Sequence, residues 1–303
     1  MLPPAPTEAA YDALDLDSPA LAAAAAVLAG APVTRVRVGS LPVFGGADRV
    51  VKLYPPCFRQ EAVHEARWLA RLDGALPAPT PRLLAQGEQD GWAWVRMSRL
   101  RGQPAADCWD DLSLAAKLSL SSQLGELLSA LHSLSLPPAL ALEPWPGFVS
   151  AQRAGAVARH RRLGLSEAWA EQIPDFLAGL SLPTHGSVPL HTEIMRAHVF
   201  VSEASGRWRI TGLLDFEPST LGAPGYEFAS VGLFWTQGDP ALMGAVCDSY
   251  GARTPGAREM MGWAILHRYA NLRWYLGRMP SPEAQTLSGL AERWFGQPST
   301  RTV

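Results

Sequence analysis

The chain has 303 residues, 48% of them hydrophobic, which is enough to bury a sizeable core as one large domain or as two lobes. A formal net charge of −2 offers no basic surface for nucleic acid or an anionic membrane. The three cysteines, Cys57, Cys108 and Cys247, are widely spaced without a Cys-x-x-Cys pair, which argues against a disulfide framework or zinc site and for a reduced, cytoplasmic protein.

The first ten residues read as a mobile tail, because Pro3, Pro4 and Pro6 block regular structure. A helix begins near Pro19, capped by Asp17 or Ser18, and ends at Gly30; its alanine-rich run is too short to span a bilayer and follows no basic segment. Residues 33–38 interleave valine with arginine as a half-buried strand does. After a turn through Gly39, Ser40, Gly45 and Gly46, a second strand, Arg49–Tyr54, carries Lys52 among Val50, Val51 and Leu53. Glycines in that connection suit a loop lying over phosphates, although GSLPVFGG is neither a Walker loop nor a G-x-G-x-x-G run. Residues 58–72 put Ala62, Ala66, Leu69 and Leu72 at helical spacing and place Glu61 and Glu65 one turn apart on one face.

Two strands follow at 82–87 and 92–97, joined by an Asp90-Gly91 turn. Leu120, Leu124, Leu127, Leu128 and Leu131 then mark a buried helix over 112–134, with His132 near its end as a hydrogen-bonded structural residue. Pro137, Pro138, Pro144 and Pro146 stiffen the next connection, which leads to helices at about 148–163 and 166–180. In VPLHTEIMRAHVFVS, residues 188–202, two apolar strands flank a polar loop with His191, Glu193, Arg196 and His198, and a further strand at 210–214 delivers Asp215 at its end. From Asp239 to the end the chain has five acids against seven arginines, which disfavours a strongly cationic ligand. There the run HRYANLRWYLGR reads as one helix with His267, Asn271 and Trp274 or Tyr275 on adjoining faces, in a region that also holds Tyr269, Trp263 and Trp294.

A base and a metal ligand on one loop, followed by a carboxylate at a later strand end, is the order in which phosphoryl-transfer sites are assembled. Any one of these residues alone is an ordinary strand-end side chain; the ordered set, with a strand lysine and a helix glutamate upstream, is what chance rarely supplies. Residues 191–201, HTEIMRAHVFV, and 213–217, LLDFE, resemble the aminoglycoside phosphotransferase and choline kinase family, small-molecule relatives of protein kinases. That family reads H-G-D-x-x-x-x-N before an apolar strand, then I-D-W/F-E; here Glu193 stands at its catalytic Asp and His198 at its Asn metal ligand.

The resemblance implies an α+β, two-lobed, protein-kinase-like fold. Residues 1–100 would form a nucleotide-binding lobe, a small antiparallel sheet with one main helix, and 101–303 a mostly helical lobe with the catalytic loop and substrate pocket. It implies that Lys52, held by Glu65 with Glu61 in reserve, meets the nucleotide phosphates. In the hinge MSRLRGQP, Met97 would sit beside the purine, and the backbone of Arg99 and its neighbours would bond the base edge of ATP or GTP. Glu193 would accept the hydroxyl proton, Asp215 would bind Mg²⁺, and His198 would contact phosphate as a cation or reach the metal through a water. Arg196 would fork onto a phosphate oxygen and Glu217 join a second metal or the substrate, while His191 keeps the loop's shape and Glu227 braces its backbone. His267, Asn271 and Trp274 would line the acceptor pocket.

The expected reaction is transfer of the γ-phosphate of ATP or GTP to a hydroxyl of a small molecule, with Mg²⁺ and with no nucleic-acid or membrane partner. The expected acceptor is an antibiotic, neutral or of nucleoside or sugar type, inactivated by the transfer. Two other readings stand beside it. One is a kinase-like protein that binds nucleotide or metabolite without turnover, suggested by Glu193, His198 and Glu227. The other is a metabolic kinase of choline or homoserine type, which in the choline case needs an aromatic cage.

Overall fold

The computed structural model describes residues 1–37, 39–185 and 188–297. The chain forms two compact units: Met1–Gly102 together with Thr211–Pro218, and Gln103–Ile210 together with Ser219–Val303.

The first unit contains α1 (Glu8–Asp12), α2 (Pro19–Ala29), β1 (Thr34–Val36), β2 (Val43–Gly45), β3 (Arg49–Tyr54), α3 (Arg59–Leu72), β4 (Leu83–Gln89) and β5 (Trp92–Ser98). The strands make one antiparallel sheet in the order β1-β2-β3-β5-β4. β3 is central because its Val51, Leu53 and Tyr54 are fully buried and both edges are paired, Lys52 facing Val43 on β2 and Val95 on β5. α2 opens with proline in its first turn and closes on Gly30 at φ 67, whose N–H returns to the Ala26 carbonyl at 3.0 Å. Asp90 and Gly91, both at positive φ, make the β4–β5 turn.

Three sequence expectations are corrected here. Residues 1–10 are not a tail: Leu2 and Ala5 are buried, the Leu2 N–H donates to Asp90 at 2.8 Å, and the Trp92 indole donates to the Pro3 carbonyl at 2.7 Å. The prolines that forbid a helix there leave an extended segment free to pack. The glycine connection before β3 contains a strand of its own, β2, so the hairpin that leads to Lys52 is β2–β3, closed by Gly46 N–H on the Arg49 carbonyl at 2.8 Å. The strand read at 33–38 is shorter, Thr34–Val36, and Val38 lies outside the described residues.

The second unit contains β6 (Gln103–Pro104), α4 (Leu114–His132), α5 (Trp145–Arg162), α6 (Glu167–Ala170), α7 (Ile173–Ala178), β7 (Val188–Leu190), β8 (Val199–Ala204), β9 (Arg207–Leu213), β10 (Thr220–Gly222), α8 (Pro224–Ser230), α9 (Pro240–Tyr250), α10 (Ala257–Leu266), α11 (Leu272–Arg278) and α12 (Leu287–Phe295). β9 leaves this unit at Ile210 and its end belongs to the first. Trp235, Trp263, Trp294, Tyr226, Phe228 and Phe295 fill the core of the second unit. The helix expected over 166–180 is two helices, since Pro174 has no N–H to continue α6 and instead opens α7. The single helix expected over 267–278 is likewise broken. His267 leaves α10 with ψ 145, and the Asn271 side chain accepts the Trp274 N–H at 3.0 Å to start α11 afresh. Among the described residues no helix is long and apolar enough to cross a membrane.

α4 and α9 approach closely at Gly125, where an added Cβ would meet the Val246 carbonyl oxygen and lie 2.9 Å from the Tyr250 nitrogen. On α5, Gly155 has nothing within 4 Å of the same position. Gly125→Ala is expected to lower stability by about 1–3 kcal/mol through overpacking. Gly155→Ala is expected to raise it by about 0.5–1 kcal/mol through helix propensity. Urea unfolding of both variants checks the pair, and equal effects would contradict the packing.

Candidate active site

β3 places Lys52 in the interior of the first unit, its side chain 10% exposed. A lone buried ammonium is expensive, and here it is met by carboxylates. Its Nζ lies 2.7 Å from Glu217 Oε2, 2.8 Å from Asp215 Oδ1 and 3.4 Å from Glu65 Oε2. Burial works against the charge on Lys52, but Asp215, Glu65 and Glu217 outweigh it and hold its pKa well above the ordinary lysine value.

Glu65 comes from α3 and is buried; the Tyr54 hydroxyl donates to its Oε2. Burial raises the Glu65 pKa and Lys52 opposes the rise. Of the two α3 glutamates, then, Glu65 is the ion-pair partner. Glu61 abuts Glu217 instead, and burial with that neighbouring carboxylate pushes its pKa up to about 7. Asp215 and Glu217 arrive on the segment Thr211–Pro218, which is tied into the first unit by the Leu213 N–H on the Pro79 carbonyl at 3.0 Å and by buried Phe216. Asp215 itself sits at φ 75. Three carboxylates on one ammonium, with Glu61 beside Glu217, leave a surplus of hard oxygen donors, a set that fits a divalent cation such as Mg²⁺.

Met97 is buried on β5 between Val50 and Leu83. Arg99 follows that strand, and its N–H donates to the Asp48 carbonyl at 2.9 Å while its guanidinium reaches the Gly46 carbonyl at 2.6 Å. Arg99 therefore ties its stretch to the β2–β3 turn through both its N–H and its side chain.

In the second unit, β7 and β8 deliver the loop of residues 191–198. Its backbone is wired side chain by side chain. The Glu227 carboxylate, fully buried on α8, accepts the His191 N–H at 2.6 Å and the Thr192 N–H at 2.8 Å. The Glu193 N–H donates to His191 Nδ1 at 3.2 Å, the Glu193 carbonyl accepts from His198 Nδ1 at 2.9 Å, and the Ile194 N–H donates to Ser230 Oγ at 3.1 Å. That bond makes His198 Nδ1 the donor, so that in the neutral ring Nε2 is the nitrogen with the lone pair. Thr192, where the H-G-D motif has glycine, is held at φ 73, costly for a β-branched residue.

Arg196 does not present a fork outward. Its guanidinium donates to the Trp235 carbonyl at 2.6 and 2.9 Å and to Gln237 at 3.2 Å, and it stacks over the Trp109 ring at 4.1 Å. Burial lowers its pKa to about 10. It anchors the loop to the π-helical turn Val231–Thr236.

The residues expected around an acceptor are engaged in different ways. His267 is buried, its Nε2 bonded to the Thr192 carbonyl at 3.0 Å. Asn271 caps α11. Trp274 is 46% exposed, packs edge-on against Tyr275 and carries the Arg278 guanidinium 5.2 Å above its ring. Trp263, Trp294 and Tyr275 are core. Burial raises the Tyr275 hydroxyl to about 12 and the Glu193 carboxylate adds to the rise. Sequence reasoning missed Ser230 and the loop-facing role of His267. Ser230 has a signal in hindsight, lying one helical turn beyond Glu227; His267, 75 residues from its partner, has none.

The model of the phosphotransferase enzyme family, APH, matches residues 24–263. No curated protein matches the chain. Among solved structures, the GDP and kanamycin complex of APH(2")-IIia shares the fold with a TM-score of 0.64 at 16% identity, over 86% of this chain and 91% of that one. Macrolide 2'-phosphotransferase MphH from Brachybacterium faecium gives 0.60 at 21% identity, over 89% and 93%. APH(3'')-Id from Streptomyces rimosus gives 0.56 at 18%, over 79% and 93%. The α+β, protein-kinase-like fold expected from the sequence is the fold of these enzymes.

Two measurements follow from the loop. Glu227→Gln leaves one acceptor oxygen for two buried N–H groups and is expected to cost about 1–3 kcal/mol in chemical denaturation; an unchanged midpoint would contradict the bracing. Burial pushes the His267 pKa down to about 4. Its unfolded form takes up a proton below about pH 6.5, and the native form only near pH 4, so the stability it confers is full above pH 6.5 and is lost as pH falls toward 4. Thermal melts of wild type and His267→Gln should therefore differ in acid slope over that window, and parallel curves would contradict it.

Proposed function

The chain belongs to the phosphotransferase enzyme family, and from that premise we propose that it transfers the γ-phosphate of ATP or GTP to a hydroxyl of a small-molecule antibiotic, inactivating it. The observation that carries this reading is Lys52, held by Glu65 and flanked by Asp215 and Glu217. A buried ammonium fixed in this way is preorganised to meet nucleotide phosphates. Asp215 and Glu217 would hold Mg²⁺, which when bound would neutralise charge on the phosphates.

Glu193 accepts the proton of the attacking hydroxyl. Phosphoryl transfer asks mainly for alignment and charge neutralisation, so a fixed base is worth more than a strong one. The wiring of the peptides on either side of Glu193 supports turnover over binding alone, because a loop that merely covers a ligand gains nothing from such restraint. His198, as the imidazole with its Nε2 lone pair, takes the part of the family's asparagine. Arg196 acts by anchoring the loop.

Among the similar structures, one is a complex of its enzyme with GDP and kanamycin and another is a macrolide 2'-phosphotransferase. For this chain, exposed Trp274 and Tyr269, the cation on Trp274, and the excess of arginine over acid beyond Asp239 favour a neutral hydroxylated acceptor with an apolar face over a polycation.

Nucleoside-diphosphate release from ATP and from GTP with Mg²⁺, against a panel spanning macrolides, nucleoside antibiotics and aminoglycosides, tests the reading. Turnover is expected with a neutral acceptor, and Asp215→Ala and Glu193→Ala are each expected to lose on the order of 100-fold or more in kcat. Undiminished turnover in both variants, or no release with any acceptor, would overturn it.

A further inference from the structure

We propose that His267 is a positioning residue for Glu193, a role that rests on the reading of Glu193 as the base. The argument is about peptide planes. The plane between His191 and Thr192 sets φ of Thr192, and its N–H is held by Glu227. The next plane, between Thr192 and Glu193, sets φ of Glu193 and so the direction in which the carboxylate leaves the chain. That plane is gripped at both ends: its N–H by His191 Nδ1 at 3.2 Å and its carbonyl by His267 Nε2 at 3.0 Å. A plane held at one end can rotate about that bond; held at both, it cannot. Glu227, Ser230, His191 and His198 reach the loop from α8 or from the loop itself, whereas His267 reaches it from the end of α10.

His267 is itself immobile. Its ring stacks on Tyr226 with centroids 4.8 Å apart and planes 18° apart, and the Tyr226 hydroxyl accepts the Arg268 N–H at 2.9 Å. The Tyr269 N–H donates to His267 Nδ1 at 3.3 Å, which leaves Nε2–H as the donor toward Thr192. The break between α10 and α11 has its explanation here, because a continuous helix would keep this ring on the α10 surface instead of turning it to the loop. Thr192 at φ 73 makes the restraint necessary, since a strained β-branched residue persists only where its surroundings over-determine it.

The test compares His267→Phe, His267→Gln and His267→Asn. Glutamine places an amide N–H where Nε2 was, whereas asparagine reaches only as far as Nδ1. His267→Phe and His267→Asn are expected to lower kcat for phosphate transfer by on the order of 10–100-fold with the nucleotide KM unchanged, and His267→Gln to recover most of it. Hydrogen exchange at the Thr192, Glu193 and Ile194 amides should quicken in the Phe and Asn variants but not in Gln, with exchange elsewhere unchanged. Wild-type kcat in the Asn variant, equal loss in Asn and Gln, or exchange quickened throughout α10 would overturn the proposal. Should His267→Phe fail to fold, the Asn and Gln pair decides alone. If the wild type transfers phosphate to no acceptor, the functional reading falls, while unchanged exchange at residues 192–194 in His267→Asn would separately overturn the positioning role.

Discussion

One ammonium group sets the terms for the first unit. Lys52 is buried on the central strand, and three carboxylates from two distant stretches of chain close on it: Glu65 from α3, and Asp215 and Glu217 from a segment that returns 163 residues later. Such a network is a poor device for stability alone, because desolvating the charges costs about as much as their attraction returns. Apolar side chains of similar size would fill the space at no greater cost. A surplus of negative charge, sharpened by Glu61 beside Glu217, makes the arrangement more expensive still in the absence of a cation. These are the marks of a site shaped for something that binds there.

The loop in the second unit obeys a different constraint. Thr192, Glu193 and His198 sit on one short loop whose peptides are held from several sides. The extra methylene of Glu193 moves its carboxylate by on the order of a bond length relative to aspartate, so the backbone beneath it has to be fixed by other means. His198 supplies one of those means through its bond to the Glu193 carbonyl, and Glu227, His191, Ser230 and His267 supply the rest. A glycine at Thr192 would adopt its φ of 73 without strain; threonine adopts it because the bonds on either side leave it no alternative.

The features written into local periodicity were legible in the sequence. β3 and α3 emerged with their lysine and glutamate in place, and the Asp90-Gly91 turn and the strands around the Glu193 loop were readable from turn chemistry and apolar runs. What escaped depends on contacts that no local pattern encodes. The N-terminal segment is ordered by Asp90 and Trp92, far along the chain. β2 is three residues long after a proline, too short for alternation to register. Arg196 has the composition of a phosphate fork, but it is spent on the Trp235 carbonyl of a π-helical turn and on the Gln237 side chain. The pattern at 267–278 is helical on paper, and the helix breaks because His267 bonds across to the loop and Asn271 caps the next turn.

The central claim is that the carboxylates around Lys52 are arranged for a cation carrying a nucleotide. Calorimetric titration of ATP and GTP, with Mg²⁺ and with a chelator, addresses it most directly. The carboxylates outnumber the Lys52 ammonium and would repel phosphates brought beside it, so on this account affinity for at least one nucleotide should rise by on the order of 10-fold or more when Mg²⁺ is present. Equal affinity in the two conditions, or no binding of either nucleotide, would contradict the account.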